Sequence, residues 1–249
     1  MIADRNVPIV LCSSRTRAEL EVVQQEFHFR HPFITENGAA VYVPRGYFSS
    51  SGPAEISGYH VLAFGGPHQQ VVDALRRTAA TLGVEVRGFN GMSVEEVADE
   101  CDLSLTDARL AQLREYGEPF RIVTSDPAVQ SRLLTGLRRV GLRCVHGGTF
   151  HHVSFGADVR RALRAVTSLY RQPRGDVFTV GVSAGLTDDS SLLREVDMPI
   201  IVRNPQVDVA RVLRKVPMAR VTSKAGALGW DEAILSALEP ELQNMSGRQ

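Results

Sequence analysis

Two stretches of the chain show the same order of apolar and polar positions. Each begins with a short run rich in valine and isoleucine, passes through turn residues, and continues with apolar residues at helical spacing. The first is VPIVLCSS (7–14) before RTRAELEVVQQEF (15–27), and the second is FTVGVSA (178–184) before SSLLREV (190–196). Strands that alternate with helices in this way build a parallel sheet covered by helices. The pattern predicts an α/β fold for both ends of the chain.

The middle of the chain has a different texture. Helical segments such as PHQQVVDALRRTAATLG (67–83) and SVEEVADECDLSLTDARLAQLREYG (93–117) are followed by short strands, as in an open α+β sandwich. We predict that residues 66–148 form an inserted second domain. Residues 1–65 and 149–249 would then be the two parts of one core.

Composition narrows the range of functions. The 249 residues are 43% apolar and 22% charged, which is enough to bury a full core. Lys plus Arg equal Asp plus Glu at 28 each. The chain therefore has no net positive charge with which to bind a nucleic acid or an anionic membrane. Cys12, Cys101 and Cys144 have no metal or disulfide spacing. The chain has no apolar run of about 18 residues and no secretory start, so we expect a cytoplasmic protein.

Five strings of residues carry a resemblance to a known family. They are VLCSSRTRAELE (10–21), PFITENGAAVYVP (32–44), REYGEPF (114–120), HGGTFHHV (146–153) and VTSKAGALGWDEAI (221–234). In this order they resemble the mannosyl-3-phosphoglycerate phosphatases, a large-cap, Cof-like branch of the haloacid dehalogenase superfamily. The resemblance implies a Rossmann-like core with a parallel sheet and an inserted α/β (α+β) cap. It also implies magnesium and hydrolysis of the phosphate monoester of a glycosyl-glycerate.

Such chemistry needs four loops at the carboxyl ends of adjacent strands. They supply an Asp nucleophile with a second Asp, a hydroxyl and a lysine for the phosphate, and carboxylates for magnesium. The first loop, DxDGT, would precede VPIVLC by about twenty residues in the family, and the sequence from Met1 does not contain it. Either an upstream segment exists or the strands at 7–12 and 178–182 pair directly. We predict the direct pairing.

The second and third loops can be read on the sequence. The resemblance makes Ser13 the hydroxyl that holds phosphate, with Ser14 and Arg15 behind it at the start of a helix, which suits an anion. The alternative is that Ser13 or Ser14 is an N-cap, with Glu19 nearby. The third loop is GADVRRA (156–162), in which Asp158 is kept and Val159 stands at the lysine position.

Two arginines follow that valine. A helix turns about 100° per residue, so Arg160 and Arg161 point away from the direction of the missing lysine. We predict that both lie on a solvated helix face.

The fourth loop is AGLTDD (184–189), where the family has GDSxND. Gly185 replaces the first metal carboxylate, Asp188 replaces the asparagine, and Asp189 keeps its role. Asp189 and Asp188 are therefore the predicted magnesium ligands, although Asp189 is also a good N-cap for the helix that follows. A divalent ion held mainly by one or two carboxylates is a marginal site, so we expect impaired hydrolysis.

The residues that would face the substrate are better preserved. A sugar needs several hydrogen-bond partners, and a glycerate carboxylate needs a cation, for which Arg114 is the candidate. The alternatives are a hairpin turn for Asn37 and Gly38, a surface ion pair for Arg114, and a satisfied core contact for His152. The predicted substrate-binding residues are Ser14, Arg15, Glu36, Asn37, Gly38, Arg114, Glu115, His146, Gly147, Gly148 and His152.

Two functions remain open. One is a magnesium-dependent phosphatase of glycosyl-3-phosphoglycerate type with impaired catalysis. The other is a non-catalytic homologue that binds a sugar phosphate or a glycosyltransferase partner and regulates. Another sugar phosphatase is less favoured because of REYGEPF. The sequence leaves the sugar and the oligomeric state undetermined.

Overall fold

The computed structural model describes residues 7–49, 55–184 and 190–246. The chain forms two compact units, residues 1–169 and 170–249. The division falls inside one helix, Val159–Arg174, which is α6 in the numbering used below. The finer division into a core of two segments and a cap at 66–148 stays a prediction. No helix in the described ranges is both long and apolar enough to span a bilayer.

The first unit contains a five-stranded sheet with the order β1-β2-β3-β5-β4. β1 and β2 are parallel, and the other neighbours are antiparallel. One helix, α1 (Arg17–Glu26), connects β1 to β2. The strands are β1 (Leu11–Cys12), β2 (Phe33–Thr35), β3 (Ala40–Pro44), β4 (Glu55–Ile56) and β5 (Tyr59–Ala63).

Residues 68–155 build a four-stranded antiparallel sheet with the order β6-β7-β9-β8. Its strands are β6 (Val86–Gly88), β7 (Gly117–Ile122), β8 (Leu142–Gly147) and β9 (Phe150–Phe155). Its helices are α2 (His68–Leu82), α3 (Val94–Cys101), α4 (Leu105–Ala111) and α5 (Pro127–Arg139), with a short 3₁₀ helix at Phe89–Gly91. The α+β texture predicted for the middle of the chain is confirmed.

The two faces of this sheet pack against different helices. Phe120 and Val153 form one apolar cluster with α2 and α5. Phe150 belongs to a second cluster, with α3, α4 and the 3₁₀ helix. Because successive strand residues point to opposite faces, Phe150 and Val153 of β9 lie on opposite sides of the sheet. The helix pair α2 and α5 therefore covers one face, and the pair α3 and α4 packs on the other.

The start of α1 corrects one alternative. Thr16 is the N-cap, because its hydroxyl accepts a hydrogen bond from the Glu19 amide and the Glu19 carboxylate accepts one from the Thr16 amide. This reciprocal pair satisfies two amides that the first helical turn would otherwise leave free. The interpretation of Ser13 or Ser14 as the N-cap is therefore wrong.

The second unit carries a parallel sheet with the order β10-β11-β12. Its strands are β10 (Val180–Ser183), β11 (Met198–Arg203) and β12 (Arg220–Ala225). Its helices, besides the end of α6, are α7 (Ser190–Leu193), α8 (Val209–Lys215) and α9 (Gly226–Ser246). The alternation of strands and helices predicted for this end of the chain is confirmed.

The predicted pairing of the strands at 7–12 and 178–182 is wrong. Among the described residues, β1 pairs only with β2 and β10 pairs only with β11, so the two strands belong to different sheets. Alternation of apolar and polar residues shows that a segment is a strand. The alternation does not show which other strand lies beside that segment, so the predicted pairing had no basis in the pattern.

A glycine of the β2–β3 loop packs closely against the start of α6. Gly38 has φ +84°, and a Cβ at this position would lie 2.4 Å from the carbonyl carbon of Asp158 and 2.4 Å from the amide nitrogen of Val159. The Asp158 amide donates to the Gly38 carbonyl at 3.3 Å. Only a residue without a side chain allows this approach of two backbones.

Gly38→Ala should therefore destabilise the protein far more than Gly46→Ala. Both glycines have a positive φ, but no atom lies within 4 Å of a Cβ at Gly46. Gly46→Ala should cost about 1 kcal/mol from backbone strain alone, and Gly38→Ala about 3 kcal/mol or more because the collision adds to it. Urea unfolding measures both, and equal costs would show that the close approach is not maintained in solution.

Candidate functional site

The centre of the candidate site is a buried carboxylate on the β2–β3 loop. Glu36 has φ +47° and its side chain is 1% exposed. Its oxygens accept hydrogen bonds from three successive amides, those of Glu115 at 2.9 Å, Tyr116 at 3.1 Å and Gly117 at 2.6 Å. A buried charge is tolerated when it is paired and hydrogen-bonded in this way. The ITENGAA and REYGEPF strings therefore meet at one side chain.

Arg114 completes the environment of that carboxylate. Its Nη2 lies 3.2 Å from Glu36 Oε2, its Nη1 donates to the Ser14 carbonyl at 3.0 Å, and its Nε donates to the Gly117 carbonyl at 3.3 Å. The side chain is 4% exposed, so the pair is buried and the alternative of a surface ion pair is wrong. A guanidinium has five N–H groups, and these contacts use three. The role of Arg114 toward a glycerate carboxylate stays a prediction.

Glu115 is held by the first unit's five-stranded sheet and its helix. Arg17 Nε donates to Glu115 Oε1 at 2.9 Å, and the Tyr42 hydroxyl donates to Oε2. Burial, together with the hydrogen bond to Glu115, raises the pKa of the Tyr42 phenol well above its ordinary value. Burial alone would lower the pKa of Arg17, but its hydrogen bonds to Glu115 and Glu21 outweigh that effect and raise it. Tyr42 therefore stays protonated and Arg17 stays charged.

Glu118, the second acid of REYGEPF, has a different position. It is 1% exposed and accepts from His68 Nε2 at 2.6 Å and from the Asn90 amide at 2.8 Å. A Cβ at Gly88 would lie 2.3 Å from Glu118 Oε1. All these partners belong to the segment from α2 to β7, so Glu118 organises the four-stranded sheet and its helix rather than the Glu36 cluster.

The loop after β1 lies against the Glu36 loop. The Ser13 carbonyl accepts from the Asn37 amide at 3.1 Å, and the Arg15 carbonyl accepts from the Glu36 amide at 3.1 Å. Ser13 Oγ accepts from the Arg15 amide at 3.2 Å, and the Arg15 guanidinium is exposed. The structure therefore brings Ser13, Ser14 and Arg15 together with the predicted substrate residues 36–38. The amides of residues 38 and 39 both donate to the Thr35 carbonyl, so the alternative of a hairpin turn is confirmed for Asn37 and Gly38.

The third loop brings an arginine that the sequence interpretation missed. Arg143 of β8 places Nη1 3.3 Å from Asp158 Oδ2 and 3.3 Å from the Ala157 carbonyl. Burial raises the pKa of Asp158, but hydrogen bonds from the Arg161 and Arg160 amides and the charge of Arg143 outweigh it and leave the pKa lowered. Arg143 alternates with buried Leu142 and half-buried Cys144, so its sequence pattern indicated only an outward strand position.

The residues at and after Val159, the position where the resemblance places a lysine, lie where the sequence predicted. Val159 is the first residue of α6. Arg160 and Arg161 are exposed, which confirms the solvated helix face, and the Arg161 guanidinium lies 4.6 Å from the centre of the Phe64 ring. Among the described residues, Arg143 is therefore the cation that lies closest to the Asp158 carboxylate, since Arg160 Nε is 4.0 Å from it.

His152 lies near Arg114 and keeps an unused polar atom. Its Nδ1 is buried and has no hydrogen-bond partner in the described ranges, so the alternative of a satisfied core contact is wrong. Burial, together with the nearby charge of Arg114, lowers the pKa of His152 to about 4. The imidazole is therefore neutral at pH 7. A Cβ at Gly147 would lie 2.8 Å from His152 Nε2, so Gly147 leaves room for this ring.

His146 and Gly148 are placed differently. The His146 ring packs edge-on against His151 with centroids 4.9 Å apart, and His151 faces Phe120 on the side of the sheet that α2 and α5 cover. His151 and His152 point to opposite faces of β9, so the His146 ring lies on the other face of the sheet from His152. Gly148 occupies the turn with φ +66°. The structure thus groups Gly147 and His152 with Arg114 and separates His146 from them.

The predicted metal ligands cannot be placed. Asp188, Asp189 and Gly185 fall within 185–189, outside the described residues. In the parts of the chain that are described, no group of three His, Cys, Asp or Glu side chains is arranged to hold a metal ion. Magnesium at Asp189 and Asp188 stays a prediction.

Comparison with curated proteins places the chain in a family. It is 32% identical over 242 residues to the glucosyl-3-phosphoglycerate/mannosyl-3-phosphoglycerate phosphatase of Methanococcoides burtonii, with 96% of this chain and 87% of that protein covered. It is 31% identical over 237 residues to the protein of the same name from Persephonella marina, with 94% and 85% covered. No protein-family model matches.

The chain belongs to the glucosyl-3-phosphoglycerate/mannosyl-3-phosphoglycerate phosphatase family. The resemblance drawn from ITENGAA and REYGEPF is therefore confirmed. In this family member, the residues of both strings converge on Glu36, and Val159 occupies the start of α6.

Solved structures show the same fold. A sugar phosphatase described as subclass IIB of the haloacid dehalogenase superfamily aligns with a TM-score of 0.60 at 14% identity, covering 95% of this chain and 86% of that one. A haloacid dehalogenase-like hydrolase from Bacteroides thetaiotaomicron aligns with a TM-score of 0.59 at 16% identity, covering 96% and 88%. The predicted α/β haloacid dehalogenase fold with a cap is confirmed.

The neutral His152 predicts a pH dependence of stability. Its pKa of about 4 in the folded state lies below the ordinary 6.5, so between these values the unfolded chain binds a proton that the folded chain does not. Stability should therefore fall as the pH drops from 6.5 to 4. Over this interval the free energy of unfolding of His152→Leu should fall by about 3 kcal/mol less than that of the wild type. Urea unfolding across that pH range measures the difference, and parallel pH profiles would contradict the assignment.

Proposed function

We propose that this family member binds a glycosyl-3-phosphoglycerate at the cluster around Glu36 and Arg114, and that its hydrolysis of the phosphate monoester is impaired. The observation that carries the proposal is Val159. It stands where the family resemblance places a lysine, and its apolar side chain offers no charge to a phosphate oxygen. The relatives of Methanococcoides burtonii and Persephonella marina are named as phosphatases of these substrates, which supports the substrate class.

Binding is supported by what the cluster offers to an anionic sugar. Ser13 and the exposed Arg15 guanidinium stand just before α1, and Arg143 carries a guanidinium that is 45% exposed at Asp158. Charge-assisted hydrogen bonds from guanidinium groups are strong contacts for phosphate and carboxylate oxygens. The neutral imidazole of His152 suits a hydroxyl partner better than a charged one. In this proposal the protein orients its ligand with Arg15, Arg143 and His152.

Magnesium, when bound, would neutralise charge on the transferring phosphoryl group. Carboxylate oxygens are its preferred ligands, and we propose that Asp189 and Asp188 supply them. Gly185 at the position of the family's first metal carboxylate lowers the negative charge available, so the affinity for the ion should be low. Asp158 contributes to α6 and to Arg143 rather than to a metal.

A second candidate is a non-catalytic homologue that binds a sugar phosphate or a glycosyltransferase partner and regulates it. The same valine favours it, because binding needs fewer groups than hydrolysis. We propose a cytoplasmic location for either function, because the three cysteines are scattered along the sequence without disulfide or metal spacing. The two functions differ in whether any turnover remains.

Phosphate release and ligand binding separate them. With magnesium and mannosyl- or glucosyl-3-phosphoglycerate, isothermal titration should show saturable binding, while phosphate release should be at least about 100-fold below ordinary enzyme rates of about 1–1000 s⁻¹. Val159→Lys should tighten binding of the phosphorylated ligand, because it restores a cation at the start of α6. Val159→Met, which has a long side chain without charge, is the matched control and should leave the affinity unchanged.

Three results would count against the proposal. Wild-type turnover at ordinary rates would refute impairment, and absence of binding to either substrate would refute the substrate class. An equal rise in affinity with Val159→Lys and Val159→Met would show that charge at this position is not what is missing. Undetectable phosphate release in both the wild type and Val159→Lys, with binding intact, would favour the non-catalytic homologue.

A further inference from the structure

A groove runs between α2 and α5 on the outer side of the four-stranded sheet. The two helices approach closely at Gly136, where a Cβ would lie 2.9 Å from Leu82 Cδ1 and 3.1 Å from Thr78 Cγ2. Beside this contact lies a cavity of about 350 Å³ with an apolar floor that includes Ala74, Leu82 and Val140. Val140 is 50% exposed. The groove therefore presents apolar surface to solvent.

Two arginines line this groove, and the other described arginines of α2 and α5 likewise lack carboxylate partners. Arg77 and Arg139 line the groove. Arg76 and Arg132 bond to neutral groups, the Asn90 amide oxygen at 2.7 Å and the Leu82 carbonyl at 3.2 Å. The arginines of α2 and α5 are Arg76, Arg77, Arg132, Arg138 and Arg139. In the described part of the chain, none of them lies within ion-pair distance of an acidic side chain. We call the groove with Arg77 and Arg139 the basic groove.

A surface with the opposite character lies on α3 and α4. Leu105, the first residue of α4, is 56% exposed. Four exposed carboxylates on these helices and their connection form no ion pair with another described residue: Glu95, Asp99, Asp102 and Asp107. The neighbouring Glu96 and Glu100 are already paired with Arg87 and Arg121. We call Leu105 with the four unpaired carboxylates the acidic knob, and it remains negative even with Arg109 of α4 included.

The basic groove and the acidic knob cannot meet within one chain. The groove belongs to the helix pair that covers the Phe120 and Val153 face of the sheet, and the knob belongs to the pair that packs on the Phe150 face. The sheet separates them. A contact between these two surfaces therefore requires two molecules.

We propose that the basic groove receives the acidic knob of a second copy of this chain. Leu105 would enter the apolar floor, and Asp102 and Asp107, on either side of it in sequence, would meet Arg77 and Arg139. Complementary charge steers and fixes such contacts, and the formal net charge of zero means that whole copies do not repel one another. Because the two surfaces differ, the contact is heterologous and leaves one groove and one knob free for further copies.

Sedimentation velocity of the full chain tests the proposal. Over a concentration series at about 0.01 M ionic strength, the wild type should form species larger than a monomer. At about 1 M, where the Debye length falls from about 30 Å to about 3 Å, association should weaken by about tenfold or more. A monomer at every concentration at low ionic strength would overturn the proposal.

Paired variants identify the surfaces. The groove variant Arg77→Glu with Arg139→Glu and the knob variant Leu105→Ser with Asp102→Asn and Asp107→Asn should each be monomeric. The altered groove is negative and the altered knob gains no positive charge, so these two surfaces do not attract each other. An equal mixture should form a one-to-one dimer and nothing larger, because one intact knob then meets one intact groove. A mixture that stays monomeric, or a groove variant that associates like the wild type, would refute the contact.

A charge-matched control excludes a general effect of net charge. Arg211→Glu with Lys215→Glu changes the charge by the same amount at two exposed positions of α8. It should associate as the wild type does, and loss of association in this control would contradict the assignment to the groove. Thermal unfolding of each variant shows whether it is folded, and the dimer formed by mixing proves that both variants keep a working surface.

Discussion

The buried pair of Glu36 and Arg114 is the interaction on which the candidate site depends. Glu36 is nearly inaccessible to water, and it is compensated by three amides and one guanidinium that all come from residues 114–117. Removing one partner of such a pair leaves an uncompensated buried charge, at a cost of about 3–5 kcal/mol. The loop that carries Glu36 also contacts the start of α6 at Gly38. This turn therefore holds three parts of the chain together: the β2–β3 loop, residues 114–117 and the start of α6.

This arrangement is consistent with the proposal that the chain keeps its binding residues while its hydrolysis is impaired. Glu36, Arg114, Glu115 and Glu118 are held by the fold itself, since each has buried or half-buried partners within the first unit. Val159 has no such constraint, because the start of α6 is capped by the Asp158 side chain whatever residue follows it. An uncharged residue at position 159 is therefore expected to leave stability unchanged, whereas substitution of Glu36 is expected to lower it.

Local patterns in the sequence predicted the elements and the two strings that meet at the site, but not their contacts. Alternation and helical spacing found the parallel β10–β12 sheet and the α+β texture of the middle of the chain. They could not show that β1 pairs with β2 rather than β10, because ladder partners are set by packing between distant segments. Arg143 was missed for the same reason: its neighbour Asp158 lies across a loop, and nothing in LRCVHG indicates the direction of its guanidinium. The burial of Arg114, too, depends on Glu36, which lies on the β2–β3 loop in a distant part of the sequence.

A double-mutant cycle between Glu36 and Arg114 tests the central claim most directly. Glu36→Gln, Arg114→Met and the double variant would be compared by urea unfolding, which gives the coupling free energy between the two side chains. A buried, mutually dependent pair predicts a coupling of about 2 kcal/mol or more, with the double variant much less destabilised than the sum of the single variants. Additive effects, with a coupling near zero, would show that the loop is held by other contacts and would contradict this account.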